Sequence, residues 1–137
     1  MGVTILVAIY ARQSMERPDS VSIDAQTDQC RKFAGQDYKQ YCDIGYSGKN
    51  TNRPQYEQMI KDIQSGKVTA VISYRLDRIS RNIIDFANLL ELLEKNHVKY
   101  ISATEQFDTS TPIGRAMIYI VMVFAQLERE PIAGRIA

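Results

Sequence analysis

An arginine and a serine two positions apart lie at the end of the first apolar run of this 137-residue chain. The run Thr4-Ile-Leu-Val-Ala-Ile-Tyr10 is followed by Arg12 and Ser14. A guanidinium held near a hydroxyl stabilises the negative charge that develops when the hydroxyl attacks a substrate. A loop serine is more often a turn or capping residue, so this spacing alone leaves both interpretations open.

A second group of charged residues occurs in the segment Tyr74-Arg-Leu-Asp-Arg-Ile-Ser-Arg81. Guanidinium forks match the oxygens of a phosphate and of a phosphoryl transition state. The alternative is a solvated basic face whose arginines pair with Asp77. The candidate phosphate ligands in this segment are Arg75, Arg78 and Arg81.

The sequence offers little support for a serine hydrolase. Its single histidine, His97, follows a predicted helix far from Ser14 in the chain, and no G-x-S-x-G motif is present. Activation of Ser14 would therefore depend on arginines, an acid or substrate oxygens. This favours attack on phosphorus, with a phosphodiester as the natural target.

The composition is that of one globular domain spanning residues 1–137, with 45% hydrophobic and 24% charged residues. A net charge of +1 is weak for a complete DNA-binding protein. The two cysteines, Cys30 and Cys42, have no spacing that indicates a disulfide framework or a zinc site. This use of cysteine fits a reducing compartment, so we expect a cytoplasmic protein. No apolar run is long enough to cross a bilayer, so we expect no membrane partner.

Strand and helix patterns alternate along the chain. We expect strands at residues 4–10, 38–44, 68–74 and 100–104, and helices at 23–35, at 54–65 and around residues 86–93. This order predicts an α/β fold with a mainly parallel central sheet of four to five strands flanked by helices. Ligands of such sheets bind beyond the carboxyl ends of the strands. Arg12, Ser14, Ser47 and the 75–81 segment should therefore converge on one edge.

A last helix begins at Thr111-Pro112, where Thr111 is a good N-cap and Pro112 suits the first helical position. From Met117 to Leu127 it is apolar nearly all round, so it needs packing partners on more than one side. A central core helix is one interpretation, and self-association is the one we favour. The expected oligomerisation residues include Met117, Ile118, Val121, Met122, Phe124 and Leu127.

Several motifs in order make this chain resemble the serine recombinase family. They are Tyr10-x-Arg12-x-Ser14, Ser22-Ile-Asp-Ala-Gln26, Gly45-Tyr-Ser-Gly48 with Arg53-Pro54, Leu76-Asp-Arg-Ile-Ser-Arg81, Thr111-Pro-x-Gly114 and Ala125-Gln-Leu-Glu-Arg-Glu130. The resemblance spans nearly the whole chain. The long segment ending in Ser22-Ile-Asp-Ala-Gln26 is similar to large serine recombinases of the phage integrase and transposon type.

The resemblance implies that Ser14 attacks a scissile phosphodiester, expels the 3′ hydroxyl and becomes joined to the 5′ phosphate, without a metal or other cofactor. It assigns residues to three roles. The phosphate ligands are Arg12, Arg78 and Arg81; Gln26 and Arg53 complete the site; and Asp77 orients arginines or handles protons. Ser47 matches a loop near the family's active site, although a turn role fits it equally well.

The resemblance also implies partners. Family members bind double-stranded DNA as dimers that join into tetramers, and Glu128 and Arg129 match positions that couple the site to this assembly. A sulfate or phosphate ion is expected at the active site. Because the chain stops at Ala137, we expect a truncated catalytic domain, of bacterial or phage origin, lacking the family's DNA-binding domains. Pro131 departs from a continuous helix and should end or kink it.

Two other classes remain as alternatives. A non-catalytic DNA-binding or assembly module would keep the arginines and the apolar helix but would not need Ser14. A flavodoxin-like domain for a small ligand is less well supported, because the chain lacks the acidic cluster and the phosphate-binding glycine loop of that class.

Overall fold

The computed structural model describes residues 6–14, 21–45, 53–80, 82–105 and 107–129. The predictions for Ser47, Arg81 and Pro131, and for the side chains of Ser14 and Asp77, fall outside these described groups. The strands are β1 (Leu6–Ser14), β2 (Tyr38–Gly45), β3 (Val68–Ser73), β4 (Lys99–Ser102) and β5 (Phe107–Asp108). The helices are α1 (Ile23–Ala34), α2 (Pro54–Gln64), α3 (Leu76–Ile79), α4 (Ile83–Lys95) and α5 (Pro112–Arg129).

The strands form a five-stranded sheet in the order β2-β1-β3-β4-β5. All neighbours pair in parallel except β4 and β5, which are antiparallel. Strand β1 lies inside the sheet, and its residues from Ala8 to Ala11 have no exposed surface. This explains its continuous apolar run, since both faces of a parallel sheet are covered by helices. The predicted α/β fold class is confirmed.

Two strands differ from the prediction. Strand β1 continues through Ser14 instead of ending at Tyr10, because β2 pairs with it as far as the Ser14–Gly45 pair. Polar residues at the end of β1 suggested a loop, but their backbone pairs with β2 and so forms a strand. Strand β5 was not predicted, since a strand of two residues carries no periodicity.

The predicted ends of α1 and α2 are confirmed. The Ser22 hydroxyl accepts a hydrogen bond from the Ala25 amide at 3.2 Å, and Gly35 ends α1 with a φ of 74°. Helix α2 begins at Pro54, whose missing N–H costs nothing in a first turn. These local signals allowed the helix bounds to be predicted without tertiary information.

Helix α5 packs against α4 through a face formed by Gly114, Ile118, Val121 and Ala125. A Cβ atom at Gly114 would lie 1.8 Å from the Asp108 carbonyl oxygen, so only glycine permits this close approach. Ile118 and Val121 therefore leave little surface for another copy, and their contact with one stays a prediction. Their side chains are only 5% and 8% exposed because they belong to the core of their own chain.

Polar contacts hold both ends of α5 on α4. The Arg115 Nη1 lies 3.1 Å from both carboxylate oxygens of Glu94 near the start of α5. At the other end, the Arg129 Nη2 donates to the Asn88 Oδ1 at 2.9 Å. A coupling role for Glu128 and Arg129 stays a prediction. No helix in the described ranges is long and apolar enough to cross a membrane.

Candidate active site

Three segments meet at the carboxyl edge of the sheet: the end of β1, the start of α2, and α3. Helix α3 packs against β1 although β3 is the strand that precedes it. The rings of Tyr10 and Tyr56 meet edge to face, with 5.5 Å between their centroids, and join the end of β1 to α2. Helix α3, which contains Arg78, thus packs against the strand that contains Arg12, and the convergence of their side chains stays a prediction.

Asp43 is the polar centre of this edge. Its carboxylate is 5% exposed and accepts hydrogen bonds from the Tyr10 hydroxyl at 2.8 Å and from the Gln55 and Tyr56 amides at 3.0 Å each. It therefore caps α2, whose own N-cap residue Arg53 makes no side-chain cap bond. A carboxylate is favourable here because the N-terminus of a helix carries partial positive charge.

The surroundings of Tyr10 keep its phenol protonated. Burial raises the pKa of Tyr10 well above its usual value, and the hydrogen bond to Asp43 raises that pKa further. Tyr10 therefore acts as a permanent donor to Asp43 rather than as a base. The sequence did not identify Asp43, because nothing in the spacing of the chain relates it to Tyr10 or α2.

Gln26 clamps the backbone of Arg12. Its Nε2 donates to the carbonyls of Arg12 and Val21 at 2.8 Å each, and its Oε1 accepts from the Arg12 amide at 3.3 Å. The side chain has no exposed surface, and both amide hydrogens are used. Gln26 is therefore a positioning residue for the backbone of Arg12 in this structure, because its polar atoms are directed at backbone and not at solvent. A direct part in catalysis, which the family resemblance implies, stays a prediction.

Arg53 holds α3 and α4 relative to α2. Its Nη1 donates to the Ile79 carbonyl at 2.7 Å, and its Nη2 lies 3.5 Å from the Asp85 carboxylate. The guanidinium carbon lies 3.8 Å from the centroid of the Tyr56 ring. With a side chain only 12% exposed, Arg53 has a clear structural role. Its contact with phosphate stays a prediction.

Three further predicted arginines lie in the described part of the chain. Arg12, Arg75 and Arg78 are each half-buried and take part in interactions with other groups. Arg75 directly precedes α3 and Arg78 lies within it. Among the described residues, no group of three or more His, Cys, Asp or Glu side chains could hold a metal ion.

The fold matches the catalytic domains of solved site-specific recombinases. The N-terminal catalytic domain of TP901-1 integrase aligns with a TM-score of 0.77 and 35% identity, over 90% of this chain and 95% of that one. A resolvase-family recombinase from Streptococcus pneumoniae aligns with a TM-score of 0.73 and 29% identity, over 96% and 93% of the two chains.

Sequence comparison gives the family. A family model described as the resolvase N-terminal domain matches residues 7–137, and the chain belongs to this family. It is 37% identical over 126 residues to a probable DNA-invertase of Sinorhizobium fredii, covering 92% of this chain and 39% of that protein. It is 30% identical over 133 residues to a putative DNA recombinase of Bacillus subtilis, covering 95% and 26% of the two. The chain thus spans less than half the length of these relatives.

We predict that Gln26→Leu lowers the free energy of unfolding by about 2 kcal/mol or more, because it leaves buried backbone groups of Arg12 and Val21 without partners. Gln29→Leu makes the same change on the exposed face of α1 and should cost less than about 0.5 kcal/mol. Urea unfolding of both variants measures the difference. Equal stabilities would show that the Gln26 clamp does not hold the end of β1.

Proposed function

We propose that this chain cleaves and rejoins DNA strands in site-specific recombination, with Ser14 as the nucleophile. The observation that carries the proposal is the anchoring of the Arg12 backbone beside α3, which brings the motif containing Ser14 next to the helix containing Arg78. Membership of the resolvase N-terminal domain family supports it. So do relatives named as DNA invertases and a transposon resolvase.

In the proposed reaction, the Ser14 Oγ attacks the phosphorus of a DNA phosphodiester. The new bond joins Oγ to phosphorus, and the bond from phosphorus to the 3′ oxygen breaks. The proton that the Ser14 hydroxyl loses balances the proton that the 3′ oxygen takes up. The product is a 5′-phosphoserine, which the 3′ hydroxyl of another strand attacks in the reverse direction. One phosphodiester replaces another, so the exchange needs no energy from a nucleotide.

Arginines supply the charge that this reaction requires. Arg12, Arg78 and Arg81 are proposed to bind the scissile phosphate and to stabilise its transition state, since guanidinium groups match the phosphoryl oxygens. Arg75 adds positive charge at the approach to α3, and Asp77 is proposed to orient the arginines or to move a proton. Gln26 and Arg53 fix the backbone that carries these groups, and Arg53 is also proposed to bind the phosphate.

We predict that the protein containing this chain, expressed at its full natural length, forms a covalent adduct with DNA through Ser14. The substrate is a supercoiled plasmid carrying the DNA that flanks its gene. Denaturing gels and mass spectrometry should detect a 5′-phosphoserine adduct, which Ser14→Ala should abolish. Ser65→Ala, at the distant end of α2, should leave adduct formation unchanged.

Recombination that persists in Ser14→Ala, without any adduct, would contradict this mechanism. It would support the alternative that the chain is a non-catalytic DNA-binding or assembly module.

Helix α5 is proposed to join two copies of the chain. Outside the face that packs on α4, it has an exposed apolar stripe at alternating spacings of four and three residues, the pattern of a coiled-coil seam. Ile113 is 79% exposed and Phe124 is 55% exposed, so a monomer would leave these apolar side chains in contact with water. The stripe consists of Ile113, Met117, Ile120, Phe124 and Leu127.

The proposed partner is a second copy of this chain, and the dimer would form the unit that binds DNA and joins into tetramers. Met117, Phe124 and Leu127 from the predicted oligomerisation set lie on this stripe. Met122, also from that set, is half-buried against the core and is not part of the stripe.

We predict that Phe124→Glu weakens self-association at least tenfold, because it places a charge in the centre of the apolar stripe. Gln126→Glu adds the same charge at an exposed position of α5 outside the stripe and should change the dissociation constant less than twofold. Sedimentation equilibrium measures both. A dissociation constant unaffected by Phe124→Glu would contradict the proposed interface.

A further inference from the structure

The loop that follows β4 is hydrogen-bonded to the turn between β3 and α3. The Ala103 amide donates to the Ser73 carbonyl at 2.9 Å. The Thr104 amide and hydroxyl donate to the Tyr74 carbonyl at 3.1 and 2.9 Å. The next residue, Glu105, accepts a hydrogen bond from the Leu76 amide at 2.9 Å. Three successive residues of one loop thus fix the backbone that leads into α3.

Glu105 supplies the cap that α3 lacks. The N-cap residue of α3, Arg75, makes no side-chain cap bond. Glu105, from a different part of the chain, provides the cap instead, because its Oε1 accepts the hydrogen bond from the Leu76 amide. The same oxygen accepts a hydrogen bond from the Ser102 hydroxyl at 2.7 Å. The second bond orients the carboxylate toward the helix. A carboxylate at the first turn of a helix is favourable, since the free amides there carry partial positive charge.

Helix α3 depends on such external contacts because it has only four residues. So short a helix has no stability of its own, and its position is set by the groups that hold its ends. Arg53 holds the last residue through the Ile79 carbonyl, and Glu105 holds the first through the Leu76 amide. Arg78 lies between these two points. Removal of either contact loosens one end of the short helix that carries Arg78, although the bonds from Ala103 and Thr104 to the preceding turn would remain.

We propose that Glu105 is a positioning residue for DNA strand cleavage: its carboxylate fixes the start of α3 and thereby places Arg78 at the scissile phosphate. This inference rests on the proposed function. It predicts an effect on the rate of cleavage rather than on DNA affinity, because displacement of a group that acts in the transition state lowers the rate of the chemical step.

The test compares Glu105→Ala with Glu105→Gln in the full-length protein, using the plasmid that carries the DNA flanking its gene. Glu105→Ala should slow formation of the Ser14 adduct at saturating DNA at least about tenfold, with the dissociation constant for DNA changed less than about threefold. Glu105→Gln should stay within about threefold of the unaltered rate, because its amide oxygen can accept the same two hydrogen bonds. Glu91→Ala, which removes an exposed glutamate of α4, is the matched control and should have no effect.

Amide hydrogen exchange of the 137-residue chain gives a second readout that does not require DNA. In Glu105→Ala, exchange in the segment 74–79 should accelerate at least tenfold, while exchange in β1 should not change. Glu105→Gln should retain the protection of this segment. This pattern would separate loss of the α3 contact from general unfolding.

Unchanged cleavage in Glu105→Ala, with an active unaltered protein, would overturn the positioning role while leaving the proposed function intact. A Glu105→Gln variant as slow as Glu105→Ala, with the segment 74–79 still protected, would also overturn it, because the charge and not the contact would then matter. Absence of any adduct from the unaltered protein would instead contradict the proposed function itself.

Discussion

The structure of the candidate site depends on one constraint: β1 runs further than β3. The last pair between these strands joins Tyr10 to Ser73. Beyond this pair, β2 is the strand that remains paired with β1. Buried backbone amides and carbonyls require partners. Gln26 supplies them on the open side by bonding both the amide and the carbonyl of Arg12.

The same constraint makes room for α3. Because β3 ends early, the chain that leaves it can turn and pack against the end of β1. Contacts from outside then set the position of this short helix, with Arg53 at its end and Glu105 at its start. Asp43 fixes the third component, because its carboxylate joins the Tyr10 hydroxyl on β1 to the first amides of α2. The site is therefore held by polar contacts, buried at Asp43 and exposed at Glu105, between segments that lie far apart in the sequence.

The division between what the sequence could and could not predict follows from the range of each signal. The apolar run of β1, the Ser22 cap of α1 and Pro54 at the start of α2 act locally, and each predicted its element. The roles of Asp43 and Glu105 depend on partners in other segments, which no periodicity reveals. Gln26 was selected through the family resemblance, but only the structure shows that its amide faces the backbone of Arg12.

Helix α5 gives the same lesson. Its sequence is apolar nearly all round, which left core packing and self-association as alternatives. In the structure, the helix has a buried inner face and an exposed apolar stripe. Ile118 and Phe124 both looked suited to an interface, yet Ile118 is buried and Phe124 is 55% exposed. Gly114, which leaves no room for a Cβ atom beside the Asp108 carbonyl, lies on the inner face, and this close tertiary approach has no counterpart in the helical repeat.

The most direct test of the central claim, that the edge formed by β1 and α3 is a phosphate site, is to locate a tetrahedral oxyanion in crystals of this chain. Tungstate is suitable, because its anomalous scattering identifies the ion without ambiguity. We predict that it lies between the guanidinium groups of Arg12 and Arg78, with Arg81 and the Ser14 hydroxyl next to it. An ion bound elsewhere, with these side chains directed away from one another, would contradict a preassembled site for the scissile phosphate.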